Sequence, residues 1–276
     1  MKKMNVKLTV PQLEQLSKKV RAHLLKMIHN AKSGHPGGSL SSVEILLTLY
    51  FHIMNHDLND PNRDRFILSK GHSAPLLYTV LMEAGYIPKT VDQLRKYGSI
   101  LQGHPDATKT KGVEISSGSL GNGLSVASGL AAASKIDGRK GRIYCLLGDG
   151  ECDEGLVWEA AMIAPDNKLD NLTAIVDRNM FQIDGCTEDV VCLEPLPDKW
   201  RAFNWNVIEC NGHDYIELID AFREADKSKD RPTVIIAHTV KGKGVSFMEN
   251  NVDFHGKAPN DEELDIALTE LGEASL

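Results

Sequence analysis

The sequence has no apolar run approaching the length of a membrane span, and its opening, MKKMNVKLTVPQLEQ, has no signal-peptide core. It also lacks any C-x-x-C pair. Its five cysteines (Cys145, Cys152, Cys186, Cys192 and Cys210) are an odd number, which excludes a zinc ribbon or a disulfide framework and fits a reducing cytoplasm. Each cysteine reads as a small buried apolar residue. Clustered positive charge is missing too. The formal charge is −7 and the lysines are scattered apart from Lys241 and Lys243, so nucleic acid is excluded as the main partner. Internal repeats and low-complexity tracts are absent. What remains is an ordinary globular composition, 42% hydrophobic and 25% charged over 276 residues, sufficient for a sizeable core. The expectation is one cytoplasmic α/β domain over residues 1–276.

The order of elements supports that class. Thr9 and Gln12 form a capping box with Pro11 in the first turn, and Leu13, Leu16, Val20, Leu24 and Met27 make a helical stripe. The break Ser33-Gly34-His35-Pro36-Gly37-Gly38 ends it. A second helix is predicted from about Ser41 to Phe51, capped by Ser41 and Glu44. Short apolar runs then read as strands: 66–68, 143–147, 172–176, 206–209 and 233–237. Helical patterns lie between most of them, at 121–135, 154–164 and 215–227, and a last helix runs over 261–272 behind an Asn260/Glu263 cap. Strands without polar alternation are buried on both faces. The sheet is therefore mostly parallel and flanked by helices on both faces. Strand order is not legible.

In such sheets ligands collect beyond the carboxyl ends of the strands. The run 143–147 leads into Gly148-Asp149-Gly150, and the run 172–176 into Asp177-Arg178-Asn179. Two glycines allow close backbone approach, and the helix start that follows offers free N–H groups to an anion. Asp149 and Asn179 are hard oxygen ligands that suit Mg²⁺ when a diphosphate supplies further oxygens. An isolated Asp and Asn more often cap a helix and a turn. The spacing alters that balance. Twenty-eight residues, 151 to 178, separate Gly150 from Asn179. The stretch resembles the thiamine-diphosphate fingerprint. Its flanks, GDGECDEGLVWEAA and DRNMFQIDG, resemble transketolases, as do SGHPGGSLS, DRFILSKGHSAPLLY, GHPD, GSLGNGLSVASGLA, CNGHD, VKGKGVSF and HGKAP, in that order along nearly the whole chain.

The resemblance implies that Asp149, Asn179 and the main-chain oxygen of Phe181 ligate Mg²⁺ or Ca²⁺, with Gly150 touching the diphosphate of thiamine diphosphate. Gly118, Ser119 and Leu120 would line the cofactor, Ile183 would pack beside its rings, and Glu154 would lie near the contact between subunits. By the same likeness His35 and His255 hold substrate hydroxyls and shuttle protons. His72 contacts the diphosphate, and His104 the hydroxyl on the donor's first carbon. Lys241 matches a lysine beside the diphosphate in one branch of the family. His213 and the remaining histidines read as structural, and Lys243 as solvated. The implied reaction transfers a two-carbon ketol unit from a ketose phosphate to an aldose phosphate.

The sequence stops soon after HGKAP, whereas transketolases continue into pyrimidine-binding and C-terminal domains. The expectation is a split enzyme whose other half is a separate chain, two copies of each. Rival readings are a split enzyme for an unusual sugar phosphate or sulfosugar, a deoxyxylulose-phosphate synthase relative, and a degenerate subunit kept for assembly. A nicotinamide-binding fold is disfavoured, because no strand clearly precedes GSLGNG and no acidic residue is suitably placed.

Overall fold

Helix α1 (Val10–Ala31) begins where the Thr9/Gln12 pair predicts: Gln12 Oε1 accepts from Thr9 N at 2.9 Å and from Thr9 Oγ1 at 3.0 Å. It buries Leu13, Val20, Leu24 and Met27 and ends at Lys32, whose φ of 51° lies in the left-handed region. A computed structural model describes residues 7–273. The second predicted helix is corrected. In place of one helix from Ser41 to Phe51 the chain forms α2 (Pro36–Leu40), α3 (Val43–Thr48) and a π-helical turn over Leu49–Ile53. Pro36 starts α2 early, as a proline at the first helical position favours. The expected cap residues are engaged elsewhere. Ser41 and Ser42 donate to Asp177 Oδ2 (2.6 and 2.9 Å), and Glu44 pairs with Arg21 (2.7 Å) and His213 (3.0 Å).

Strand β1 (Arg65–Leu68), α4 (Ala74–Glu83), α5 (Asn122–Ile136), β2 (Ile143–Gly148) and α6 (Gly155–Asp166) follow. After β3 (Leu172–Arg178) comes a small hairpin, β4 (Phe181–Gln182) and β5 (Gly185–Cys186), then α7 (Thr187–Val190) and α8 (Leu196–Ala202). The chain continues through β6 (Asn206–Asn211), α9 (Tyr215–Ala225) and β7 (Thr233–His238) to α10 (Asp261–Glu270), where Asn260 and Glu263 cap each other as expected.

The five long strands form one parallel sheet in the order β1-β2-β3-β7-β6. Alternate residues serve two cores, as the period of a strand requires. Tyr144, Leu146, Ile175 and Ile235 pack with α1, α3, α4 and α9 on one face. Cys145, Leu147, Ala174, Val176, Val234 and Ile236 pack with α5, α6 and α8 on the other. Three of the cysteines, Cys145, Cys152 and Cys210, are buried as expected; Cys186, in the small hairpin strand β5, is half-buried, and Cys192, on the loop between α7 and α8, is exposed. No helix among the described residues is long and apolar enough to cross a membrane.

Candidate active site

The five strands of the main sheet being parallel, their carboxyl ends lie along one edge, level across the register: Gly148 pairs with Asp177 and Arg178 with His238. Just beyond β1, β2, β3 and β7 stand His72, Asp149, Asn179 and Lys241. His35 reaches this edge from the turn before α2, His104 from the segment between α4 and α5, and His255 from a 3-10 turn over Val252–His255.

Asp149 is almost wholly buried. One carboxylate oxygen accepts from Gly150 N (2.8 Å), the other from Met180 N (2.6 Å) and the Arg178 guanidinium (3.3 Å). Burial first, then the neighbouring Asp177, pushes its pKa up to about 6. Asn179 is buried two residues beyond Asp177. Its Nδ2 donates to Asp177 Oδ2 (3.1 Å) while its Oδ1 accepts from Phe181 N (3.2 Å), leaving a second lone pair on that oxygen. The Phe181 carbonyl meets the Lys241 ammonium at 3.1 Å, so a positive charge already faces one of the three expected metal ligands. The described residues contain no cluster of three His, Cys, Asp or Glu side chains suited to a metal. The donors at hand are a carboxylate, an amide oxygen and a main-chain carbonyl. Such an all-oxygen set, short of a full octahedron, fits Mg²⁺ or Ca²⁺ with a diphosphate as co-ligand. The residues fit the group.

The four histidines selected in the sequence are brought together. Ring centroids lie 5.3 Å apart for His35–His72, 5.6 Å for His35–His255, 5.4 Å for His72–His255 and 6.4 Å for His35–His104. Burial is the first cause holding all four below the usual imidazole range, His35 near 4 and His255 near 3. Neutral imidazoles each offer one donor and one acceptor, which suits hydroxyl recognition and proton transfer. The Lys241 ammonium lies 2.8 Å from His255 Nδ1, fixing that nitrogen as acceptor and the ring proton on Nε2. His35 Nδ1 is buried with no partner, a polar atom open to a ligand.

Of the remaining expected residues, Gly118 borders this cluster. Gly118, at φ 155°, lies against the His104 ring, and the loop of Ser117 and Gly118 closes on Gly71 so tightly that a Cβ there would sit 2.7 Å from Ser117 Oγ. Leu120 is half-buried, and Ser119, Glu154 and Ile183 are exposed. His213 is structural as read: it bonds Glu44 and accepts from Val240 N at 2.8 Å.

Sequence reasoning missed the support beneath the site. Lys70 and Asp177, both buried, form an ion pair that also takes in Ser42, the Gly38 carbonyl and Thr239. Although Asp177 is buried, the Lys70 charge brings its pKa down to about 2. Glu151, equally buried, accepts from Ser69, Gly121 N and Gly148 N and so ties three loops together. The available signal was charge at the ends of otherwise apolar strands.

The fold and this edge define a class: a thiamine-diphosphate-binding domain. The profile of the transketolase family, described as the thiamine diphosphate binding domain, matches residues 13–275. The chain is 45% identical to one of the subunits of apulose-4-phosphate transketolase from Phocaeicola vulgatus, over 96% of this chain and 95% of that one. It is 42% identical to a 6-deoxy-6-sulfo-D-fructose transketolase subunit of a Clostridium species, over 94% and 96%. The crystal structure of Campylobacter jejuni transketolase superimposes with a TM-score of 0.90 at 33% identity, covering 97% of this chain but 44% of that one. The chain therefore belongs to the transketolase family, as its thiamine-diphosphate-binding domain, and spans less than half the length of that solved transketolase.

Proposed function

We propose that this chain is the diphosphate-binding subunit of a two-chain transketolase, which transfers a two-carbon ketol unit from a ketose phosphate to an aldose phosphate. The observation that carries the reading is the convergence of Asp149, Asn179 and the Phe181 carbonyl with four neutral histidines on one sheet edge. Asp149, Asn179 and Phe181 would hold Mg²⁺ or Ca²⁺; Gly150, His72 and Lys241 would contact the diphosphate. Gly118, Ser119, Leu120 and Ile183 would line the cofactor, and Glu154 would lie at the subunit contact. When bound, thiamine diphosphate supplies the electron sink for breaking and making the carbon–carbon bond. His35, His104 and His255 orient substrate hydroxyls and carry protons, which neutral rings do without a permanent charge to desolvate. The pyrimidine-binding and C-terminal domains would come from a cytoplasmic partner chain, with two copies of each. Relatives spanned almost end to end carry subunit names, which supports that division.

Their names also favour a more specific substrate, an unusual sugar phosphate or sulfosugar, over the common pentose phosphates. The test is calorimetric titration of thiamine diphosphate with Mg²⁺, followed by turnover of the reconstituted pair. Ketol transfer from candidate ketoses supports the reading. Condensation of pyruvate with glyceraldehyde 3-phosphate, without ketol transfer, would replace it with the synthase alternative.

A further inference from the structure

Arg178, the last residue of β3, is buried with its guanidinium beside the Asp149 carboxylate. Its charge is permanent. A cation so placed competes with a metal ion for the same anion and repels the ion as well. The hydrogen bonds show where this charge is balanced instead. Arg178 Nη1 donates to Thr187 Oγ1 at 2.8 Å, and Nη2 donates to Glu188 at 2.7 Å and to Glu194 at 2.8 Å. The contact with Asp149 Oδ2 is longer, 3.3 Å.

Both glutamates are set by their own stretch of chain, from α7 to the start of α8. Glu188 accepts from Leu193 N and Glu194 N, each at 3.3 Å, and from the Cys192 thiol at 3.0 Å. The second oxygen of Glu194 accepts from Leu196 N at 2.8 Å. Thr187 N donates to Met180 O at 2.9 Å, which anchors the stretch beside Asn179. Ion pairs between exposed side chains contribute little, but here the cation is buried and both acids are held by backbone. The effect on Asp149 is asymmetric. Its Oδ2 takes both Met180 N and the guanidinium, whereas among the described residues Oδ1 accepts from Gly150 N alone and keeps an open lone pair.

We propose that Glu188 and Glu194 are positioning residues for the cation site: by drawing the Arg178 guanidinium towards themselves, they let it orient Asp149 without neutralising it. The inference rests on the reading of Asp149 as a cation ligand. Its test is calorimetric titration of Mg²⁺ into the reconstituted two-chain assembly at saturating thiamine diphosphate. Glu188→Gln/Glu194→Gln is expected to raise the Mg²⁺ Kd by about tenfold or more, because Asp149 is then the one carboxylate left to the guanidinium. Adding Arg178→Gln to that pair should bring the Kd back towards the wild-type value. A purely structural role predicts the opposite, a triple variant that binds no better than the double. That result, or an unchanged Kd in the double variant, would overturn the inference. Glu194→Gln alone, at a half-exposed side chain, should raise the Kd by a smaller factor and serves where the double variant does not fold; an unchanged Kd there overturns the inference equally. Absence of Mg²⁺-dependent thiamine diphosphate binding by the wild-type assembly would instead remove the cation reading, and this inference with it.

Discussion

Burial and the charge of Asp177 leave the Asp149 carboxyl near 6, so its ionised form is incompletely compensated until a cation arrives. Asp149→Ala should weaken Mg²⁺-dependent thiamine diphosphate binding by about 100-fold or more, measured by calorimetry, since it removes the one anionic side chain among the proposed ligands. Unchanged activity of the reconstituted variant would favour a degenerate assembly subunit instead. Lys70→Met should cost about 3–5 kcal/mol in urea unfolding, because it strands the Asp177 charge in the interior. The double variant Lys70→Met/Asp177→Leu should recover part of this. The histidines set a pH dependence. His35 titrates near 4 when folded against 6.5 unfolded, so the unfolded chain binds more protons between those values. Its contribution is complete above pH 6.5 and is lost as pH falls from 6.5 towards 4. Asp149 acts with the opposite sign over about the same range, its pKa being raised on folding. The comparison with His35→Asn isolates the histidine: melts at pH 7.5 and 5 should show the variant losing less stability than wild type.

At the scale of elements, what was legible depended on which interactions decided each one. The strands were read from runs such as Ile143–Leu147 because a parallel strand buried on both faces must be apolar throughout. The ends of α1 and α10 were read because Thr9/Gln12 and Asn260/Glu263 act within three residues of one another. The helix expected at Ser41 was not formed as read, because Asp177, 136 residues away, claims its hydroxyl. The same distance hid the Lys70–Asp177 pair and the role of Glu151. The proposed metal donors and the four histidines were singled out through their motifs, while the gathering of the histidines at one edge awaited the fold. Helix α5 illustrates how closely elements approach: a Cβ on Gly123 would lie 2.7 Å from the Ser69 Cα. Gly123→Ala should therefore cost about 1–3 kcal/mol by overpacking and pull the Ser69–Glu151 contact apart. Urea unfolding measures the first effect, and weakened cofactor binding reports the second.

At the scale of the whole molecule, the proposed division of labour makes a kinetic prediction. The chain alone should bind cofactor yet give no ketol transfer, and turnover should appear on adding the partner and saturate at equal numbers of the two chains. Activity of the isolated chain would sink the two-chain reading. The sheet order has a further consequence for how such an enzyme tolerates being cut. The cofactor edge takes its parts from positions as far apart in sequence as His35 and His255, interleaved across four neighbouring strands. A backbone break between those positions would leave each fragment with an incomplete grip and an unpaired sheet edge. A division of the coding sequence within this stretch would leave two products that must find each other before either could hold a cofactor.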